Sequence, residues 1–181
     1  MRFVWLVFAG LVAAMVLVLP RLHQSKPVGA EASQAAFASL RTPAGGAPIA
    51  DSIVAFGLAQ RGTPYLYAGT SPLTGFDCSG FIMFTFAHFG VPVPHSTALL
   101  IDVGRPVARA DARPGDIVVF TGTATTSTTP GHAGIVVSGR GEVPLRFVHA
   151  SSARRESGVK VSQVEGTDYE RRFMQVRRVI R

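Results

Sequence analysis

The chain of 181 residues contains a single cysteine, Cys78. An internal disulfide framework is therefore impossible, and so is a CxxC redox or zinc motif. No HExxH occurs, which removes the other paired metal spacing of a hydrolase. Acids are scarce: 11 Asp and Glu stand against 18 Lys and Arg, for a formal net charge of +7. A surface of that sign favours anionic partners, whether nucleic acid, acidic lipid or an acidic wall polymer. No nucleic-acid motif is recognisable, and nucleic acid is not an expected partner. No internal repeat is visible, which excludes a solenoid and an array of wall-binding repeats within these residues. No cysteine stands directly after the N-terminal apolar run, which argues against a lipoprotein.

That run, Phe3 to Leu19 ("FVWLVFAGLVAAMVLVL"), carries no charge. As a helix it would span roughly 26 Å, close to a bilayer core. Two readings stand: a signal anchor, which is favoured, and a signal peptide cleaved at the small residues Ala30 to Ala32. The distance of that site from the end of the run argues for the anchor. Either one puts the rest of the chain outside the cytoplasm, tethered in the first case and secreted in the second. Residues 1–25 are assigned to this segment. Residues 26–48, rich in Ala, Gly, Ser and Pro, read as a linker. Residues 49–181 form one domain of ordinary size.

Within the domain, "ADSIVAFGLAQRG" (Ala50 to Gly62) reads as a helix capped by Asp51. "CSGFIMFTFAHFG" leaves almost no polar face, the mark of a buried helix, and Gly90 ends it. "VPVPHSTALLIDVG" holds a short capped helix or turn. Then the period changes to that of strands: Asp116 to Phe120, His132 to Ser138, Leu145 to Ser151, Val159 to Val164 and Arg172 to Ile180. Helices first and strands second predict an α+β fold with an antiparallel sheet.

The one thiol stands at the predicted start of the buried helix. There the backbone N–H groups favour a thiolate and lower its pKa, and the same amides can donate to an oxyanion. Thiolate chemistry also needs a base, and His132 and His149 both lie on predicted strands downstream. If those strands are antiparallel neighbours, both rings fall on one sheet face beside the helix tip. Inert packing of the thiol, and satisfied or exposed histidines, is the alternative that spacing alone leaves open. So is a zinc site on the same three side chains, which lacks a paired motif to support it. His23 and His88 are assigned no role.

"GTPYLYAGTSPLTGFDCSGF", "VPVPHST", "RPGDIVVF", "GHAGIVV" and "FVHAS" occur in that order. The series resembles the NlpC-type family of papain-like cysteine peptidases, which cut bacterial cell-wall peptides, over essentially Ile53 to Arg181. The resemblance implies Cys78 as nucleophile, His132 as base and His149 as the residue that orients the base. It implies that Tyr65 and the Cys78 N–H form the oxyanion site, and that Asp77 and Ser79 shape the substrate groove. His95 stands where many relatives carry arginine and Leu100 where many carry glutamine, so this groove wall differs. Ala68 precedes Gly69 where relatives have a glycine pair. The expected protein is a peptidoglycan endopeptidase that needs no cofactor or metal. The D-Ala–diaminopimelate crosslink is its favoured bond, and D-Glu–diaminopimelate the next. A non-catalytic wall-binding or scaffold protein, and an amidase or acyltransferase, are the rival readings on the same fold. Nothing in the sequence sets an oligomeric state.

Overall fold

The computed structural model describes residues 48–180. The apolar run, the linker through residue 47 and Arg181 lie outside the described residues. Among those described, no helix is long and apolar enough to cross a membrane.

Helix α1 spans Ile49–Ala59. Pro48 occupies its N-cap position and no side chain caps it, so Asp51 is not the cap. Asp51 lies in the first turn, where its charge complements the positive end of the helix. A two-residue hairpin follows, β1 (Thr70–Ser71) with β2 (Gly75–Phe76). Helix α2 runs Cys78–Ala87 and buries Phe81, Ile82 and Phe86. Gly57 of α1 faces Phe81 of α2, where an added Cβ would stand 3.4 Å from the ring. A residue with no side chain there lets the two helices pack closely. Gly90, at φ 73°, closes the turn beyond α2 in the conformation glycine favours. His88 stacks on Phe56, with ring centroids 4.0 Å apart. The short α3 is Thr97–Leu100.

The sheet follows: β3 (Arg105–Val107), β4 (Ile117–Thr121), β5 (Pro130–Val136), β6 (Arg146–Ser151), β7 (Gly158–Gln163) and β8 (Phe173–Arg178). A 3₁₀ turn, Arg109–Asp111, separates β3 from β4, and α4 (Asp168–Arg172) precedes β8. The strand order is β3-β8-β4-β5-β6-β7 and every pair is antiparallel. The fold is α+β, as the order of patterns implies.

Strand alternation divides the sheet into two packed faces. Ile117, Val119, Ala133, Ile135 and Val148 join the core made with Ile53, Phe81, Ile82 and Phe86 of the helices. Val118, Phe120, Val136, Phe147 and Val176 form a second core on the opposite face, covered by Tyr169 of α4 and by Phe173. The sheet is thus buried on both sides by different elements.

Candidate active site

Asp77 is the N-cap of α2, and its Oδ1 accepts from the Gly80 N–H at 2.6 Å. The Asp77 N–H goes to the Gly69 carbonyl at 3.0 Å. The Ser79 amide favours the Cys78 thiolate. Among the described residues, the Cys78 N–H has no protein acceptor. The helix tip also needs a glycine. A Cβ on Gly80 would stand 2.1 Å from the Gly69 carbonyl oxygen, so only hydrogen fits between α2 and the loop before β1.

The thiol occupies a gap between two strands. Strands β5 and β6 pair only at Ile135↔Val148 and Val136↔Phe147. Nearer His132 they part, and the Ala133 amide, with no β6 partner there, favours the Cys78 thiolate. The Thr97 hydroxyl of α3 lies 3.4 Å from the sulfur. Burial pushes the Cys78 thiol above its ordinary pKa. The Thr97 hydroxyl and the two amides work against that, and the Asp77 charge adds to it. The helix field alone predicts the opposite sign. The tip is buried here, and desolvation of a thiolate outweighs the donors aimed at it.

His132 and His149 are brought together. Nε2 of His132 lies 2.7 Å from Nδ1 of His149, and Nε2 of His149 lies 2.9 Å from the Ser162 hydroxyl on β7. Both rings share one sheet face, as alternation requires. It is the face covered by α4, away from the helical core. There Tyr169 stacks on His132 at 5.7 Å and meets His149 edge-on at 5.5 Å. Burial lowers the pKa of His132 to about 3, with help from the charges of Arg172 and Lys160. His149 is fully buried and is lowered too, first by burial and then by His132. Both imidazoles are neutral at ordinary pH. Only one proton fits between His132 and His149. If His132 Nε2 donates it, His149 Nε2–H donates to Ser162 and His132 Nδ1 keeps a free lone pair.

Tyr65 makes an isolated bridge with Phe76 beside the helix tip. Its pKa is raised by burial and then by the charges of Cys78 and Asp77, which marks it as a neighbour of both. Ser79 donates to Asp77 Oδ1 at 3.1 Å. His95 Nε2 lies 3.0 Å from Asp77 Oδ2. His95 therefore belongs to the groove beside the cysteine, while Leu100 is buried in the helical core. Sequence reasoning missed Thr97, Ser162 and Tyr169. Thr97 was in plain view, two residues beyond His95 in "PHST". The polar, five-residue α4 has no periodicity that would have singled out Tyr169. Among the described residues, no three His, Cys, Asp or Glu side chains are grouped to hold a metal ion.

A lone cysteine at a buried helix tip, with two histidines on adjoining strands of an antiparallel sheet, can be compared directly with known proteins. The NlpC/P60 family matches residues 62–178. The chain belongs to that family. This NlpC/P60 domain is 38% identical over 109 residues to a probable endopeptidase of Mycobacterium tuberculosis, covering 56% of this chain and 26% of that one. It is 34% identical over 121 residues to the murein DD-endopeptidase MepS/murein LD-carboxypeptidase of Escherichia coli, covering 66% of this chain and 57% of that one. The chain thus spans a quarter to just over half the length of these relatives. Among solved structures, an NlpC/P60 family protein from Bacillus cereus aligns at TM-score 0.63 and 25% identity, over 74% of this chain and 41% of that one. RipD of M. tuberculosis, described as a non-catalytic NlpC/p60 domain protein adapted to peptidoglycan binding, aligns at TM-score 0.56 and 26% identity. That alignment covers 75% of this chain and all 100% of RipD.

Proposed function

We propose that this protein is a peptidoglycan endopeptidase with Cys78 as nucleophile, His132 as base and His149 as its orienting partner. The observation that carries the reading is the relay His132–His149–Ser162, with the amide of Ala133, the residue next to His132, favouring the Cys78 thiolate. With the relay protons pointing towards Ser162, His132 Nδ1 takes the thiol proton as Sγ attacks the amide carbonyl. The Cys78 N–H and the Tyr65 hydroxyl receive the oxyanion. The proton on His132 then passes to the leaving amine and a thioester remains. Water, deprotonated by the same nitrogen, cleaves it and returns Sγ to rest. No cofactor enters any step.

The family relatives supply the substrate class. The murein DD-endopeptidase of E. coli and a bifunctional muramidase/DL-endopeptidase of Bacillus subtilis are both similar to this chain. The His95–Asp77 contact favours the D-Ala–diaminopimelate crosslink over the D-Glu–diaminopimelate bond. Relatives that cut the latter often recognise a free amine through the acid beside the cysteine, and here His95 already engages that carboxylate. The non-catalytic reading, for which RipD is the precedent, is disfavoured because Cys78, His132 and His149 are all present and the two histidines meet. The same proposal holds that residues 1–25 anchor the protein in a membrane, that residues 26–48 link it, and that residues 49–181 work outside the cytoplasm.

Defined crosslinked muropeptide dimers and free tetrapeptides, offered side by side and read by mass spectrometry, test the substrate. Dimers should become monomers. Release of an L-Ala–D-Glu fragment would move the cut to the stem, and turnover of ordinary L-peptides alone would refute the wall assignment. Cys78→Ala should fold and lose at least ~10³-fold in rate. His132→Ala should be nearly as inactive, whereas His149→Asn, whose amide still accepts a hydrogen bond, should keep measurable activity. Full turnover by Cys78→Ala would end the cysteine mechanism.

A further inference from the structure

A cavity of about 440 Å³ opens at the β3 edge of the sheet. Arg105 of β3, Arg113 beyond the 3₁₀ turn, Arg140 of the β5–β6 hairpin and Arg178 of β8 line it, with Asp111 as the one acidic lining residue. It is far from the thiol. Phe120 pairs with His132 at one end of β4, and Asp116, which holds Arg178, precedes the other end. Four residues of strand put about 13 Å between those ends.

The four guanidiniums differ in their commitments. Arg178 is fixed: it donates to both oxygens of the buried Asp116 and to the Asp111 carbonyl. Arg140 pairs with Asp111 at 2.5 Å, with both side chains well exposed, and such a pair is weakly held. Arg105 and Arg113 have no ion pair among the described residues. Four cations thus meet two carboxylates around one hollow. Unpaired like charges so close together repel one another unless an anion joins them. The guanidiniums come from four separate segments. A planar carboxylate is satisfied by a single guanidinium in its own plane, whereas a tetrahedral oxyanion offers oxygens in several directions at once.

We propose that this cavity is a binding site for a phosphate-class oxyanion, held by Arg105 and Arg113 with Arg140 closing over it. The site is separate from the thiol groove and does not rest on the peptidase reading. Its ligand is either a small soluble phosphate or the phosphate of a phosphodiester polymer.

Calorimetry on the full-length chain in mild detergent, at fixed ionic strength, tests it with four probes: inorganic phosphate, glycerol 1-phosphate, a poly(glycerol phosphate) chain and acetate. Phosphate should bind with a Kd of about 1 mM or tighter, a typical strength for a few charge-assisted hydrogen bonds. Acetate should bind at least ~10-fold more weakly, given its single plane of acceptors. The double variant Arg105→Gln/Arg113→Gln should lose at least ~10-fold in phosphate affinity while muropeptide turnover and Tm stay unchanged. Cys78→Ala should bind phosphate as the wild type does. Tighter binding of the polymer at equal phosphate concentration would assign the site to a phosphodiester chain, and tighter binding of glycerol 1-phosphate to a soluble ester. Either result upholds the pocket, provided the double variant abolishes it. Phosphate binding unchanged in the double variant, acetate binding equal to phosphate, or no binding of any phosphate probe at about 50 mM, a concentration at which even weak sites fill, would overturn the proposal.

Discussion

Cys78 rests as a thiol, and His132 and His149 rest as neutral imidazoles. Burial raises the one pKa and lowers the others, so thiol and imidazole do not rest as an ion pair. In the proposed mechanism the proton therefore moves at the moment of attack. Alkylation of Cys78 by iodoacetamide should accordingly keep rising with pH beyond 9.0, the ordinary thiol value, with no plateau near neutrality. A plateau between pH 6 and 7 would show a preformed thiolate instead. Thr97 is the hydroxyl that works hardest against burial here. Thr97→Val keeps the shape and removes that hydrogen bond. Alkylation at pH 8 should slow by about three- to tenfold, the worth of one hydrogen bond to a developing charge.

At the scale of elements, the loop before β1 carries a strain visible in one residue. Ala68 sits at φ 57°, in the left-handed region that favours glycine. The methyl group there costs about 1 kcal/mol relative to glycine. Ala68→Gly should raise Tm by about 3 °C in a domain of this size. An unchanged or lower Tm by calorimetry would mean that the gain in unfolded-state freedom cancels the relief.

The elements also separate what sequence patterns reveal from what they hide. Helix α2 and strands β4 to β8 were legible because each buries a face, and burial imposes a period on the residues. Their bounds fall within a few residues of the expected ones. Strand β3 was missed because it is three residues long with Pro106 in its middle, which only an edge strand tolerates. The β1–β2 hairpin is too short for any period to register. Within the site, the meeting of the two histidines was legible from motif and order. The sign of the thiol shift was not, because it depends on how deeply the helix tip is buried, a tertiary fact. The face of the sheet that carries the histidines was not legible for the same reason.

The whole molecule should feel the two buried histidines in acid. In the unfolded chain each takes a proton near pH 6.5, while in the fold burial holds His132 at about 3 and His149 lower still. Between those values the unfolded state binds more protons, so stability falls as pH falls through 6.5. For His149 alone the loss at pH 5 is about 2 kcal/mol relative to pH 7. The carboxylates held low by partners, Glu165 and Asp168, lose their contribution only below about 4.5, so the interval from 6.5 to 5 isolates the histidines. Urea midpoints measured at pH 7 and pH 5 should therefore differ, and His149→Asn should shrink the difference. Equal midpoints for the native chain would contradict the depressed histidine values.

A sulfur kept protonated in a closed gap also bears on how long the protein lasts. Peroxides and disulfides react with thiolate, and a buried thiol gives them little. Cys78 has no second cysteine to capture a sulfenic acid and return it to the thiol, so a single oxidation would be hard to reverse from within the chain. Under the proposed peptidase reading, that lowered readiness is a form of protection: the sulfur becomes reactive mainly when a substrate carbonyl, rather than an oxidant, fills the space beside it.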